Sequence, residues 1–425
     1  MNTQRIRSPQ LKKVLVVLGT RPEAIKLAPV IAELRRCADV TSRICVTGQH
    51  REMVWPILEL FDVHPDIDLA LMTPDQRLSS LTACALTGLE DVIASTAPDW
   101  VVLQGDTTSA MSAALAAFYQ RVPVAHVEAG LRTHDLARPF PEEANRRIAG
   151  ALATIHFAPT ELARRNLLRE GAESSTVFVT GNTVVDALLA VGNLPGKHSA
   201  GPLACVPWNR RIVLVTAHRR ESFGPGLRDI CHAVRAIADA LPDVHCVYPV
   251  HLNPNVQEPA RAILGGHERI SLLPPLDYVS LVHLIRRAAL ILTDSGGIQE
   301  EAPTFGKPVL VLREVTERPE AVNAGCARLV GTDRRAIVSA ALRLLTDRSA
   351  YEQMAQIANP FGDGHAGKRI VRVLRAWPAI STRRRSADTC WTATPGRRAA
   401  PLWRDDAEHR PAENSDERLH QEGNT

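Results

Sequence analysis

Three acidic residues in the first half of the chain lie close to the ends of apolar runs, where side chains could meet for proton transfer. Asp106 follows "VVLQG", Glu128 follows "VAHV", and Glu142 lies in "RPFPEEANRR". Asp106 could instead cap the helix expected from Ser109, and Glu142 could be a first-turn acid stabilised by its helix dipole. Glu128 requires a partner, such as Arg132, or a chemical role, because small residues flank it after an apolar strand. Three carboxylates in one cleft would repel one another and spread their pKa values, which suits removal and delivery of protons.

Histidines and arginines follow two apolar runs in the second half of the chain. His218, Arg219 and Arg220 come after "LVTA", and His251 comes after "YPV". One histidine at a strand end is usually structural, whereas two at neighbouring strand ends, beside arginines and across from acids, favour a functional role. The spacing of His, Asp and Glu forms no metal-ligand pattern, so we expect no obligatory metal and no other cofactor.

The segment "TDSGGIQEE" places a serine and two glycines at a strand end. Ser295, Gly296 and Gly297 would present successive backbone N–H groups to an anion, and their small side chains would let a diphosphate approach. Glu301 lies about one turn into the helix that follows, where it could accept hydrogen bonds from ribose hydroxyls. The structural alternative is that Asp294 or Ser295 only caps this helix, and capping is compatible with ligand binding.

A second anion site is predicted in "GTRPEAIKLAPV", where Pro22 begins a helix. Arg21 then lies at the helix amino terminus, and Lys26 lies about one turn further along. Two solvated cations in a turn are the alternative, and spacing does not decide between them. The pattern G-x-G-x-x-G is absent after this strand, which disfavours a nicotinamide dehydrogenase. Gln49 is the first residue of "QHREM", a further polar segment that follows a strand. This segment could bind substrate or could only begin a helix, and spacing does not decide between the two.

Twelve short apolar runs, each followed by a helical pattern, must position these side chains. The runs are continuous in Val, Ile and Leu, as in "KVLVVLG", "WVVLQGD", "RIVLVTAH" and "LILTDS". Such runs are typical of strands buried on both faces of parallel sheets, and ligands bind beyond the carboxyl ends of those strands. Twelve strands exceed one ordinary open sheet. We therefore predict an α/β fold of two doubly wound Rossmann-like domains that face each other across a cleft.

The domain boundaries follow from breaks in periodicity. A Gly- and Pro-rich stretch, residues 191–209, is predicted to link a first domain of residues 1–190 to a second domain of residues 210–365. A final helix in residues 366–380 is predicted to pack back on the first domain. Residues 381–425 lose periodicity and fill with charge and proline, which predicts a disordered tail.

Composition narrows the class of protein. The chain has 425 residues, 45% of them hydrophobic, and a formal net charge of +4, which gives no reason to expect a nucleic-acid partner. Its eight cysteines form no Cys-x-x-Cys pair, and we interpret them as reduced thiols of a cytoplasmic protein. The basic start, "MNTQRIRSPQLKK", precedes an apolar run too short for a signal peptide, and no apolar run suits membrane insertion.

In the order and spacing of its motifs, the chain resembles the bacterial non-hydrolysing UDP-N-acetylglucosamine 2-epimerases. The resemblance extends from about residue 12 to 377 and rests on motifs such as "GTRPEAIKLAPV", "TGQHREM", "HVEAGLRT", "PEEANRR", "GNTVVDAL", "TAHRRES", "TDSGGIQEEAP" and "TERPEAV". It implies the two-domain glycosyltransferase-B architecture and a nucleotide sugar as the small-molecule partner. It also implies a homodimer.

The activity that the resemblance implies is reversible conversion of UDP-N-acetylglucosamine to UDP-N-acetylmannosamine. UDP would leave by anti elimination to give 2-acetamidoglucal, and would add again after C2 is protonated on the other face. The product would supply N-acetylmannosamine for surface polysaccharide.

Site residues carry over from the family motif by motif. The catalytic set that the resemblance implies is Asp106, Glu128, Glu142 and His218. The substrate-binding set is Arg21, Lys26, Ser295, Gly296, Gly297, Glu301 and Arg313. A possible allosteric set for a second UDP-sugar is Gln49, Arg219 and His251.

Three rival functions stay open. A hydrolysing epimerase would release UDP and free N-acetylmannosamine, although no fused sugar-kinase domain is recognisable. A UDP-sugar glycosyltransferase would need an acceptor and would not need three first-domain acids. A catalytically silent regulator would bind UDP-sugar without converting it.

Overall fold

The continuous apolar runs form the central strands of two parallel sheets. The computed structural model describes residues 12–49, 51–73, 75–195 and 201–377, all within one compact unit of the chain. The strands are β1 (Lys12–Leu18), β2 (Val40–Val46), β3 (Ile67–Asp68), β4 (Trp100–Gln104), β5 (Val124–Val127), β6 (Ile155–Ala158), β7 (Val177–Val179), β8 (Arg211–Thr216), β9 (Val244–Pro249), β10 (Ile270–Leu273), β11 (Ala288–Thr293), β12 (Val309–Val311) and β13 (Ala327–Leu329).

Helices alternate with these strands and cover both faces of each sheet. They are α1 (Arg21–Arg35), α2 (Arg51–Leu60), α3 (Leu78–Thr96), α4 (Thr108–Tyr119), α5 (Glu142–Leu152), α6 (Glu161–Arg169), α7 (Thr183–Gly192), α8 (Pro225–Ala240), α9 (Pro254–Leu264), α10 (Tyr278–Arg287), α11 (Gly296–Glu301), α12 (Pro319–Ala324), α13 (Arg334–Thr346), α14 (Arg348–Ala355) and α15 (Ala366–Ala376).

Each sheet reverses its strand order once, and the reversal defines where a ligand can bind. The first sheet has the order β3-β2-β1-β4-β5-β6-β7, and the second has the order β10-β9-β8-β11-β12-β13. All recorded pairings are parallel. The reversal lies between β1 and β4 in the first sheet and between β8 and β11 in the second. Crevices for ligands therefore open at the carboxyl ends of these four strands.

Local sequence explains how the helices after two of these strands begin. The Glu23 carboxylate accepts hydrogen bonds from the amides of Gly19 (2.9 Å) and Thr20 (2.7 Å) at the start of α1, and a proline stands in its first turn, as predicted for Pro22. The cap of α4 is Thr107, whose side chain accepts a hydrogen bond from the Ala110 amide. Asp106 is therefore not the helix cap that the sequence allowed it to be.

The last described helix packs on the first domain. Helix α15 contacts α1 and α7. The Lys12 ammonium on β1 donates to the carbonyl oxygens of Leu374 (3.0 Å), Arg375 (2.6 Å) and Trp377 (2.8 Å). The ammonium thus supplies donors to carbonyl groups that have no partner within the helix. Its positive charge also interacts favourably with the negative end of the helix dipole.

The structure confirms the twelve predicted strands and adds the two-residue strand β3, which is too short to give a pattern. The predicted domain boundaries stay predictions, and the predicted tail, residues 381–425, lies outside the described residues. No helix in the described part of the chain is both long and apolar enough to cross a bilayer.

Candidate active site

Glu128, at the end of β5, is the centre of a buried cluster of polar side chains. Its backbone has a φ of +61°, a left-handed conformation that non-glycine residues rarely adopt. Lys26 Nζ donates to both carboxylate oxygens, at 2.6 and 2.7 Å, and Asn182 Nδ2 donates to Oε1 at 2.9 Å. Gln104 Nε2 donates to Oε2. A strained backbone and four hydrogen bonds therefore hold this carboxylate in one orientation.

The charge of Glu128 is stabilised by its partners. Burial alone would raise the pKa of its carboxyl group, but Lys26, Arg318 and the Asn182 amide more than offset burial and lower the pKa below its usual range. The partner that the sequence suggested, Arg132, instead forms two hydrogen bonds with Glu170, at 2.8 and 2.6 Å. That suggestion was wrong, because Lys26 arrives from the helix after β1 and has no sequence proximity to Glu128.

Asp106 lies at the end of β4, beside β1 at the reversal of strand order. Arg146 Nη2 donates to Asp106 Oδ2 at 2.5 Å, and Asn145 Nδ2 donates to the Asp106 carbonyl oxygen at 3.0 Å. The pKa of the Asp106 carboxyl group is raised above its usual value, chiefly by burial. Arg146 opposes this shift, and the negative charge of Glu128 adds to it. Asp106 is therefore better suited than Glu128 to carry a proton.

Glu142 is the first residue of α5, where it is half-buried. Its Oε2 atom is buried and has no hydrogen-bond partner among the described residues. The neighbouring Glu143 differs, because it accepts hydrogen bonds from the amides of Thr133 (3.1 Å) and His134 (3.3 Å) and pairs with Arg147. Glu143 is therefore structural, whereas Glu142 has an oxygen available to a ligand.

His218 lies at the end of β8, next to the end of β11. Asp294 Oδ2 accepts the backbone N–H groups of His218 (2.6 Å) and Arg219 (2.7 Å), and Asp294 Oδ1 lies 3.4 Å from His218 Nδ1. The His218 ring stacks on His251, with centroids 5.5 Å apart and planes at 10°. Burial lowers the pKa of His218, with His251 and Arg219 adding to the effect and Asp294 opposing it. The free protein therefore holds His218 largely neutral at pH 7.

The residues after Asp294 form an open concavity. Ser295 is the N-cap residue of α11 but its side chain makes no capping hydrogen bond. A Cβ atom placed on Gly296 or Gly297 would have no neighbour closer than 3.9 Å. The two glycines therefore leave room beside the first turn of this helix, where its amides could bind an anion.

Glu301, at the end of α11, is buried beside Tyr278 and Arg21. Burial, with help from Glu300, raises the pKa of Glu301 to about 8, against the opposing effect of Lys26 and Arg21. The Tyr278 hydroxyl is buried without a hydrogen-bond partner among the described residues. Glu301 is therefore mostly protonated at neutral pH in the free protein and can donate as well as accept hydrogen bonds.

Three residues that sequence reasoning missed join the two domains. Glu300 Oε1 accepts from Arg318 Nε, and Glu300 Oε2 accepts from Asn182 Nδ2 at 3.1 Å. Arg318 is partly buried, and Glu300 and Glu128 raise the pKa of its guanidinium group against the effect of desolvation. Each lies in a quoted motif, "GNTVVDAL", "SGGIQEE" or "TERPEAV", but nothing in their spacing predicts that they meet.

The other predicted residues have partners outside this cluster. Arg313 donates to Glu221 at 2.6 Å, and its Nη1 atom is buried without a hydrogen-bond partner among the described residues. Gln49 accepts from Ser109 Oγ at 2.9 Å in the first domain, apart from Arg219 and His251 in the second. The structure therefore brings Arg219 and His251 together with His218 and leaves Gln49 on the other domain.

A cavity of about 1000 Å³ lies elsewhere between the domains. Its lining includes Thr160, Thr180, Glu320 and Arg369, and the Thr160 hydroxyl donates to Glu320 Oε1 at 2.8 Å. None of the predicted catalytic residues lines this cavity, so it is not the candidate active site. Across the described ranges, no group of three or more His, Cys, Asp and Glu side chains is arranged to hold a metal ion.

The chain is similar to proteins of one enzyme family. The family model described as UDP-N-acetylglucosamine 2-epimerase matches residues 32–375. A probable UDP-N-acetylglucosamine 2-epimerase of Ralstonia nicotianae is 55% identical over 86% of this chain and 100% of its own length. The UDP-N-acetylglucosamine 2-epimerase of Escherichia coli K12 is 52% identical over 85% of this chain and 98% of its own.

A solved structure agrees with these sequence similarities. The UDP-N-acetylglucosamine 2-epimerase of Neisseria meningitidis, bound to UDP-N-acetylglucosamine, is 47% identical. It superposes with a TM-score of 0.77 over 85% of this chain and 99% of its own. The predicted fold, two doubly wound domains of glycosyltransferase-B architecture, is confirmed.

Proposed function

This chain belongs to the UDP-N-acetylglucosamine 2-epimerase family, and we propose that it interconverts UDP-N-acetylglucosamine and UDP-N-acetylmannosamine without hydrolysis. The observation that carries the proposal is the continuous polar cluster that runs from the first-domain acids to the second-domain anion site. Glu128 lies at one end of this cluster, near Asp106, whose pKa it raises, and Asn182 links Glu128 to Glu300 on α11, which begins at the glycine pair.

In this proposal the second domain holds UDP. The amides of Gly296 and Gly297, with Ser295, would bind the diphosphate, and Glu301 would bind the ribose. Arg21, beside Glu301, and Lys26 would supply positive charge from the first domain. Arg313 is retained as a further binding residue, and Arg318 is added to this set because it lies beside Glu300 and Glu128.

The first domain would carry the proton transfers at C2. A carboxylate takes the C2 proton, the C1–O bond breaks, and its electron pair leaves on UDP as the C1=C2 bond of 2-acetamidoglucal forms. A carboxylic acid then delivers a proton to the opposite face of C2, and UDP adds again at C1. The ionised Glu128 suits proton removal, the raised pKa of Asp106 suits proton delivery, and Glu142 would complete the set with its unpartnered oxygen.

His218 would stabilise the leaving diphosphate. Its imidazole is largely neutral in the free protein, and the arriving dianion would favour the protonated ring beside Asp294. Proton donation or positive charge at the β-phosphate then lowers the barrier to departure, because charge develops there in the transition state.

The proposal also covers regulation, oligomeric state and location in the cell. Gln49, Arg219 and His251 would take part in binding a second UDP-sugar that activates the enzyme. The protein would act as a cytoplasmic homodimer, supply N-acetylmannosamine for surface polysaccharide, and require no cofactor. The seven described cysteines are free thiols, which agrees with a reducing compartment.

The test is a product analysis followed by two substitutions. The purified chain incubated with UDP-N-acetylglucosamine alone should form UDP-N-acetylmannosamine to a fixed equilibrium ratio, followed by NMR. UDP with free N-acetylmannosamine as the main product would identify a hydrolysing enzyme, and an unchanged sugar would leave a transferase or a silent binder. Asp106→Asn and Glu128→Gln should each reduce kcat at least 100-fold, about what a general acid or base contributes, while UDP affinity changes little.

A further inference from the structure

Asn182 occupies a buried position between the two domains, and its amide group has a defined orientation. It is the N-cap residue of α7, and its Oδ1 atom accepts from the Val184 amide at 3.1 Å. Its own backbone N–H donates to the Phe361 carbonyl at 2.6 Å. Because Oδ1 faces the helix amides, the two N–H groups of Nδ2 must point the other way.

Those two N–H groups meet two buried carboxylates. Nδ2 lies 2.9 Å from Glu128 Oε1 of the first domain and 3.1 Å from Glu300 Oε2 of the second. Asn182 itself is only 2% exposed, so water does not replace either contact. One amide therefore donates to a carboxylate on each side of the interface between the domains.

The charges around Glu128 come from every neighbouring element. Lys26 on α1 and Arg318 before α12 are cationic, whereas Asp106 after β4 and Glu300 on α11 are acidic. Arg146 pairs with Asp106, so the cations only balance the acids, and the neutral N–H donor of Asn182 adds to the stabilisation of the ionised Glu128.

The geometry points to Asn182 as a positioning residue, which orients the Glu128 carboxylate for proton transfer and fixes it relative to Glu300 on the opposite domain. This inference rests on the proposed function, because it assumes that Glu128 acts at C2. Asn182 does not contact the reacting atoms. It acts through Glu128, by donating one hydrogen bond to the ionised carboxylate while the second hydrogen bond holds α11 at a set distance.

Two substitutions separate this role from helix capping. Asn182→Ser keeps a side-chain oxygen that can cap α7 but is too short to reach either carboxylate. Asn182→Asp keeps both size and cap, and replaces the N–H donors with an acceptor that repels Glu128 and Glu300. Asn193→Ser is the matched control, because Asn193 lies exposed at the other end of the same helix.

The readouts are kcat and KM from pH 3 to 9, because the pKa of Glu128 lies below its usual range, together with the Kd for UDP and thermal unfolding over the same range. Asn182→Ser should lower kcat at least tenfold and move the acidic limb of kcat up by about one pH unit, the worth of one hydrogen bond to a charged group. Asn182→Asp should move the acidic limb of kcat to a still higher pH. UDP affinity should stay within about threefold of wild type, and Asn193→Ser should match wild type throughout.

Two results would overturn the inference. One is an acidic limb that stays in place in a folded Asn182 variant, and the other is an equal loss of UDP affinity and kcat. If Asn182→Ser does not fold, the pH profile of Asn182→Asp decides alone. Failure of the wild-type chain to form UDP-N-acetylmannosamine would refute the proposed function instead, and the two failures are therefore distinguishable.

Discussion

Lys26 Nζ donates to both oxygens of the Glu128 carboxylate, at 2.6 and 2.7 Å, across 102 residues of sequence. The Glu128 side chain is 4% exposed and that of Lys26 is 15% exposed, so water screens the pair weakly. The contact joins the helix after β1 to the end of β5. It therefore couples the predicted substrate-binding lysine to the predicted catalytic acid.

Replacing Lys26 with methionine should destabilise the protein and abolish turnover. A buried carboxylate that loses its cation costs about 3–5 kcal/mol of unfolding free energy. Urea denaturation and the NMR conversion assay measure the two effects. The double variant Lys26→Met/Glu128→Gln, which removes both charges, should recover most of the stability and none of the activity. A single variant as stable as wild type would contradict the pairing.

The pKa of His218 should move in opposite directions in two variants. His251→Phe keeps the stacked ring but removes a like charge, so the pKa should rise. Asp294→Asn removes the neighbouring negative charge, so the pKa should fall. Imidazole NMR titration measures both, with the His218 signal assigned by its loss in His218→Asn. Shifts of the same sign, or none, would show that these neighbours do not set the pKa.

The stability difference between Glu301→Gln and wild type should depend on pH. The folded Glu301 carboxyl keeps its proton up to about pH 8, whereas the unfolded side chain releases it near 4.5. The unfolded state then binds fewer protons across this window, so this residue's contribution to stability falls as pH rises from about 4.5 to 8.

Glutamine has no such titration, so the Tm of Glu301→Gln minus that of wild type should grow from pH 5 to 8 and then level off. The control is Glu173→Gln, an exposed carboxyl whose difference from wild type should stay constant. A constant difference for Glu301→Gln as well would mean that its carboxyl is not held protonated.

Lys12→Met should destabilise the protein through the carboxyl terminus of α15. Three carbonyl oxygens lose an ammonium donor, at a combined cost of about 1–3 kcal/mol. Lys13→Met is the control, because the Lys13 side chain is exposed on the next position of the same strand. Urea midpoints compare the two. Equal effects would mean that the ammonium contributes nothing specific.

The strands and their polar ends could be predicted because both signals are local. An apolar run followed by a small or charged residue specifies a buried strand and the loop beyond it, as at Glu128 and Asp294. Glu128 could also be singled out as requiring a partner, since an acid after an apolar strand rarely stands alone.

The partners of these residues could not be predicted, because they depend on strand order. Arg132 is four residues from Glu128 yet pairs with Glu170, whereas Lys26 reaches Glu128 because β1 and β5 flank β4. Asn182, with its contacts on two domains, depends on how the domains meet, which spacing does not encode. The Asp106 cap was a fair local alternative, and the adjacent Thr107 satisfies the helix instead.

Deuterium incorporation at C2 would show whether the carboxylates exchange the C2 proton with solvent during epimerisation. The wild-type chain is incubated with UDP-N-acetylglucosamine in deuterium oxide, without metal, nicotinamide or acceptor, and followed by proton NMR. We expect UDP-N-acetylmannosamine carrying deuterium at C2, with deuterium entering the remaining substrate progressively. Epimerised product that retains its original C2 hydrogen would contradict proton exchange at the carboxylates, and with it the roles given to Asp106, Glu128 and Glu142.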